Sequence, residues 1–433
     1  DKIWQERPIS YVANIKIYLS QFAGQGADKK LNKIQQSLNT NQALLMTDTS
    51  AVCWLLNLRD FANSTIGMFD AYLILEQKRG FLFTDIVLTQ EVINYLTSFC
   101  INVLAISQLK PTLGRLTQLK VDKSTCPIGL LDQAVAYSGD DSYKLSQSLK
   151  NDNQIQAAKI AHAQDAIALC EFFAWLEQQE SVYEDDLANV IIEFRTKSEL
   201  YIKESFHAIC GFRSNAAIIH YRAIKNQSML IEKQGLLLID TGGHYFGGTT
   251  DVTRVICRGQ PSDEQKLAYT LVLKGHISLA NAKFKVGVCG KHLDVLARQF
   301  LWQHAMDYPH STGHGVGNFL NVHEGPQAIS LNNNISLQLG MIVSNEPGYY
   351  KIGEFGIRLE NLMYVKSWQE GFLQFEPLTL LPFEPKLINF AMLERQEMVW
   401  LSSYYANIAS LIRPKLTTLA QKWLDEQLCV IKF

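Results

Sequence analysis

Residues 240–254 read DTGGHYFGGTTDVTR, with a carboxylate at each side of a glycine-rich turn. Asp240 closes the apolar run LLLID, and Asp251 follows eleven residues later. The intervening TGGHYFGG reads as a tight hairpin connection, with His244 as a surface turn residue. Two strands of one hairpin can aim two carboxylates into one space. A carboxylate at the end of a buried strand is costly unless a cation or strong hydrogen bonds meet it. Taken singly, each aspartate could equally cap a turn or pair with Arg254.

A second acidic pair flanks another glycine-containing turn. Glu346 lies in SNEPGYY and Glu360 in GIRLEN, each against apolar strand residues. Glu360 alone could form a solvated pair with Arg358. Between the two acidic regions, residues 310–326 read HSTGHGVGNFLNVHEGP, which lacks the spacing and Lys-[Ser/Thr] of a phosphate loop. Gly313, Gly315 and Gly317 are expected to permit positive φ and close backbone approach around His314. Four acids at strand ends with one imidazole are hard to explain as separate salt bridges. Such a donor set suits a pair of divalent ions, Mn²⁺, Co²⁺ or Zn²⁺, and two ions ~3.5–4 Å apart leave room for a bridging water.

The bulk composition agrees with an ordinary globular protein. A chain of 433 residues exceeds one typical core, so two or more domains are expected. A formal net charge of −2 without long single-sign runs gives no footprint for nucleic acid or an anionic membrane. Eight scattered cysteines, with no C-x-x-C, read as reduced and mostly buried thiols. No run reaches the ~18 apolar residues of a membrane span, and AIALCEFFAWL reads as a core helix. The opening DKIWQERPIS has no signal-peptide pattern and reads as a connector.

Hydrophobic periodicity gives an α/β domain over residues 1–150. ADKKLNKIQQSLNTNQ, SAVCWLLNLRD and TQEVINYLTSF read as helices. ALLMTD and NVLAIS read as strands, and DAYLILEQKRGFLFTD as a hairpin turning at Lys78–Gly80. After the polar break SLKNDNQ, two helices followed by strands occur twice, suggesting a duplicated α+β unit over about 151–375. A helical tail over 376–433 packs back on it.

The segments DTGGHYFGGTTDVTR, STGHGVGNFLNVHEGP and NEPGYYKIGEFGIRLEN resemble the pita-bread metallopeptidases, most closely the long, three-domain aminopeptidase P (Xaa-Pro aminopeptidase) family. DKIWQERP resembles that family's connector, VCWLLNLRD its creatinase-type middle domain, and LTLLPFEPKLI with WLSSYY its C-terminal extension. The resemblance covers nearly the whole chain, with the family's first domain absent.

The resemblance implies a dinuclear metal centre, most simply two Mn²⁺, with Asp240, Asp251, His314, Glu346 and Glu360 as ligands. Asp251 and Glu360 would bridge, and a water between the ions would become the hydroxide that attacks the Xaa-Pro carbonyl. Glu346 would accept its proton. His220 would sit near the scissile bond, His323 would hydrogen-bond the developing oxyanion, and His310 would line the proline pocket. The implied substrates are peptides with proline second, and the implied setting is a cytoplasmic homodimer. His162, His207, His276, His292 and His304 read as lying on helices outside the motifs and carry no role, and Glu324 carries no catalytic role.

Arg213 and Ser214 depart from the family's small residues and are expected to narrow or charge the entrance near His220. Prolidase, on the same fold, is the nearest alternative; methionine aminopeptidase normally lacks the preceding α/β domain. A non-catalytic pita-bread peptide-binding module would characteristically lose the ligands retained here.

Overall fold

The computed structural model describes residues 12–131 and 137–429, so the opening connector lies outside the described residues. The chain divides into two compact units between Gln147 and Ser148.

The first unit is built on a six-stranded sheet. Its strands run in the order Ile101–Leu104, Gly80–Phe83, Tyr72–Leu75, Gln42–Met46, Gln118–Val121 and Tyr137–Gly139. Asp48 caps the helix Thr49–Leu56 by accepting from the backbone of Ser50 and Ala51, and Asn57 ends it in the left-handed region at φ 50°. The helical reading of SAVCWLLNLRD therefore overshoots. Its last residues, Leu58–Asp60, form a strand paired with Ile15–Ile17.

The second unit repeats one plan twice. Helices Asp152–Glu177 and Glu184–Arg195 accompany an antiparallel sheet of Ile209–Phe212, Gly235–Thr241 and Val252–Arg258. Helices Asp263–Ala280 and Gly290–Trp302 accompany a sheet ordered Lys283–Lys285, Phe372–Pro377, Asn361–Gln369 and Ile342–Asn345. Asn151 and Ser262 open two of these helices with reciprocal capping boxes. The tail forms helices Arg395–Leu411 and Thr418–Leu428, and Leu401, Tyr404, Ile408, Trp423 and Leu424 are buried in this unit's main core.

The glycine-rich connection after Asp240 is more than a turn. Gly243–Tyr245 forms a strand between Tyr201–Glu204 and Gly248–Thr249. A Cβ on Gly242 would lie 2.1 Å from the Thr250 carbonyl, so only glycine fits. His244 is consequently buried rather than exposed, with Nδ1 3.0 Å from the Thr249 hydroxyl and its ring against Phe319. His207 also departs from expectation, because it follows the strand Tyr201–Glu204 instead of lying on a helix. All eight cysteines are free thiols, five of them buried. Among the described residues, no helix is long and apolar enough to cross a membrane.

Candidate metal centre

Strand register brings the four acids together. Asp240 stands opposite Thr253 in the hairpin, and Asp251 immediately precedes the partner strand Val252–Arg258. Glu346 follows the strand Ile342–Asn345, and Glu360 lies between Phe355–Arg358 and Asn361–Gln369. The Glu360 backbone N–H donates to the Thr253 carbonyl at 3.1 Å, tying the two sheets' ends together. His314 enters from the two-residue strand Gly313–His314.

Ligand atoms of Asp240, Asp251 and Glu360 lie within 4.8 Å of one another, as do those of His314, Glu346 and Glu360. His314 Nε2 is 3.3 Å from Asp251 Oδ2 and 3.5 Å from Glu346 Oε1. Its Nδ1 lies 2.9 Å from the Gly315 carbonyl, which can only accept. Nδ1 therefore carries the hydrogen, and Nε2 turns a lone pair toward the acids.

The glycines act here through proximity. A Cβ on Gly313 would lie 2.0 Å from the Ser344 carbonyl, and one on Gly315 would lie 2.0 Å from the Glu324 carbonyl. Neither these two nor Gly317 has positive φ, so that part of the sequence reading is overturned.

The donor set fits divalent ions. Asp240 Oδ1 and Glu360 Oε1 are buried without a hydrogen-bond partner among the described residues. Burial, with Asp240 and Glu346 beside it, holds the Asp251 carboxyl well above the usual range. Burial, with Asp251 and Glu346 beside it, does the same to Glu360. Glu346 is raised chiefly by burial. Four carboxylates cannot share this space ionised without positive charge, and four oxygen donors with one imidazole nitrogen suit such ions.

Two alternatives left open by the sequence disappear. Arg254 pairs with neither aspartate; it donates to the carbonyls of Glu360, Leu381 and Pro382 and to Asn361 Oδ1. Arg358 is buried and meets Asp240 at 2.6 Å, so it forms no solvated pair with Glu360. Sequence reasoning missed this role for Arg358, because its partner Asp240 lies 118 residues away on another strand. It also missed Tyr350, whose hydroxyl accepts from Arg358 Nη1 at 2.8 Å and lies 2.8 Å from His310 Nε2.

The acids open into a cavity of about 400 Å³, also lined by Phe206, Ile209, Ile219 and Val322. His220, His310 and His323 line the same cavity. His310 is lowered to about 4, chiefly by burial. His323, whose ring centroid is 4.0 Å from that of His314, is also lowered to about 4, by desolvation and then by His314. Arg213 and Ser214 do not line the cavity. The Arg213 guanidinium turns instead to the Gln234 carbonyl and Glu232, contrary to the expected effect on the entrance.

The paired sheets and their buried acid cluster define a metallohydrolase-type centre. The chain belongs to metallopeptidase family M24, whose model matches residues 156–367. The Creatinase/Prolidase N-terminal domain matches residues 6–169, and the C-terminal region of peptidase M24 matches 371–429. The second unit is thus the pita-bread fold. A probable Xaa-Pro aminopeptidase P of Laccaria bicolor is 35% identical, aligned over 99% of this chain and 71% of its own length. Aminopeptidase P2 of Arabidopsis thaliana is 34% identical over 98% of this chain and 67% of its own length. The crystal structure of X-prolyl aminopeptidase from Caenorhabditis elegans, described as a cytosolic enzyme with a di-nuclear active site, superposes with a TM-score of 0.93. It shares 28% identity and covers 99% of this chain and 74% of that chain. Xaa-Pro dipeptidase from Bacillus anthracis shares the fold at a TM-score of 0.66 and 23% identity, covering 83% of this chain and 98% of that one.

Proposed function

We propose that this chain is a dinuclear metal-dependent aminopeptidase that removes the N-terminal residue from peptides with proline second. The observation that carries this is the convergence of Asp240, Asp251, His314, Glu346 and Glu360, two of them with orphaned buried oxygens, on a cavity walled by three further histidines. These five residues would hold two divalent ions, Mn²⁺ by preference for an oxygen-rich set, which when bound make water acidic enough to serve as a nucleophile near neutral pH.

The chain's own groups divide the remaining work. Glu346 accepts the proton from the attacking water. His323, uncharged at neutral pH, offers an N–H to the carbonyl oxygen as it gains charge. His310 has both nitrogens occupied: Nδ1 donates to the Ser311 carbonyl and Nε2 accepts from Tyr350. It is left to pack, which suits a wall against the proline ring. His220 stands at the exposed side of the same cavity, and we assign it to the scissile bond.

The cavity favours peptides longer than two residues. Arg358 is the only Lys or Arg lining it among the described residues, and Asp240, Tyr350 and Thr253 already take its donors. A dipeptide's C-terminal carboxylate would meet no available cation there, whereas a continuing peptide chain needs none. This argues against prolidase. We further assign residues 1–150 to a creatinase-type middle domain, 151–375 to the catalytic domain and 376–433 to an extension. A cytoplasmic setting is supported by eight free thiols, and a homodimer by family resemblance.

The test is metal analysis of the purified protein alongside turnover of an Xaa-Pro-Pro peptide and an Xaa-Pro dipeptide. Two divalent ions per chain and release of the first residue from the tripeptide are expected. Cleavage of the dipeptide alone would make it a prolidase.

A further inference from the structure

Glu324 follows His323 directly, yet none of the roles above uses it. Its side chain is 5% exposed, and Oε1 accepts from Lys150 Nζ at 2.9 Å, with the lysine side chain 3% exposed. The two residues are 174 positions apart. Each is fixed at its main chain to a different part of the site. Lys150 N–H donates to the Gly340 carbonyl at 3.1 Å, in the turn that leads into the strand Ile342–Asn345 and so to Glu346. Gly340 has φ 81°, and a Cβ there would lie 2.1 Å from the Lys150 carbonyl. On the other side, Glu324 N–H donates to the Gly315 carbonyl at 2.8 Å, directly after His314. A Cβ on Gly317 would lie 2.6 Å from Glu324 Oε2, so the carboxylate is seated against the glycine backbone.

We propose that the buried Lys150–Glu324 pair is a positioning device that sets His323 over the acid cluster by crosslinking its loop to the support of the Glu346 strand. A buried ion pair is a poor source of net stability, because desolvation opposes the Coulombic gain. Its directionality, however, fixes one geometry in a way an apolar contact does not. The loop it holds contains short-range glycine contacts and little regular structure of its own, so His323 depends on such a tether. The proposal rests on the reading that His323 meets the substrate carbonyl oxygen.

The test measures kcat, KM, metal content and folding of the full chain on an Xaa-Pro-Pro peptide. E324Q keeps the shape and removes the charge; displacing His323 by a fraction of an ångström should lower kcat by about tenfold or more. KM and the metal stoichiometry should stay near those of the parent. H323A should lower kcat by itself, and E324Q added to H323A should lower it little further, as expected when one residue acts through the other. The apolar exchange K150M/E324L removes the burial cost of a broken pair and should fold, bind metal and show the same loss in kcat. Wild-type turnover in a folded K150M/E324L protein would overturn the proposal. So would an undiminished effect of E324Q in the H323A background. Failure of E324Q and K150M/E324L alike to fold would assign the pair to stability alone, which also overturns it. Wild-type turnover in H323A would instead refute the reading of His323, and the positioning role with it.

Discussion

Arg358 Nη2 donates to Asp240 Oδ2 at 2.6 Å, while Oδ1 of the same carboxylate is left without a hydrogen-bond partner among the described residues. One oxygen is thereby oriented and the other kept available. The same guanidinium meets Thr253 and Tyr350, and Thr253 in turn donates to Glu360 Oε2. Arg358→Met should weaken divalent-ion binding by about 10–100-fold, the range for loss of a group that orients a ligand. Arg358→Lys should recover only part of this, because an ammonium cannot span three acceptors in a fork. Metal titration followed calorimetrically distinguishes the three proteins.

Tyr350→Phe removes the hydroxyl between Arg358 and His310. A neutral hydrogen bond contributes about 1 kcal/mol, so the loosened proline wall should raise KM for an Xaa-Pro-Pro peptide by about fivefold. The effect on kcat should be smaller. Steady-state kinetics at constant metal loading check the split.

Dialysis against a chelator should abolish hydrolysis, and divalent ions added back should restore it. The metal-free protein should also melt at lower temperature, because its acids then face one another without compensation. Ligand binding at 100 times the dissociation constant adds about 2.7 kcal/mol of stability, which thermal unfolding with and without ion resolves.

His276 is fully buried, and desolvation followed by the nearby Arg254 charge pushes it down to about 3. Its Nδ1–H donates to the Leu359 carbonyl. Between ~6.5 and that value the unfolded chain binds a proton that the folded chain does not, so stability is lost as pH falls through this window. Each such group contributes a slope of about 1.4 kcal/mol per pH unit. His276→Asn, which can still donate but does not titrate here, should flatten the acid limb by about that slope. Denaturant unfolding at a series of pH values measures it.

The five candidate positions stood out in the sequence because Asp240 and Glu346 close apolar runs, Asp251 and Glu360 abut others, and His314 stands among glycines. The supporting residues did not. Arg358 looked like a partner for its near neighbour Glu360, and Arg254 like a partner for the aspartates. Only the crossing of strands 118 residues apart shows which acid Arg358 serves. His244 was misread for a related reason. Glycine on both sides signals a turn, but these glycines exist to let Gly243–Tyr245 pass close to Thr250 as a buried strand. Helix boundaries failed where a single residue, Asn57, adopted the left-handed conformation that periodicity does not register.

The fan of bonds from Arg254 also bears on how this protein can be rebuilt. The arginine sits three residues after Asp251, yet its acceptors include the main chain at Leu381 and Pro382, beyond the last strand of the second sheet. The C-terminal segment therefore completes the hydrogen bonding of a buried arginine. A truncation after residue 375 would remove those two acceptors and leave Arg254 only Thr253, Glu360 and Asn361, close to the proposed metal site. Such a truncated protein should lose divalent-ion affinity before the rest of its fold gives way.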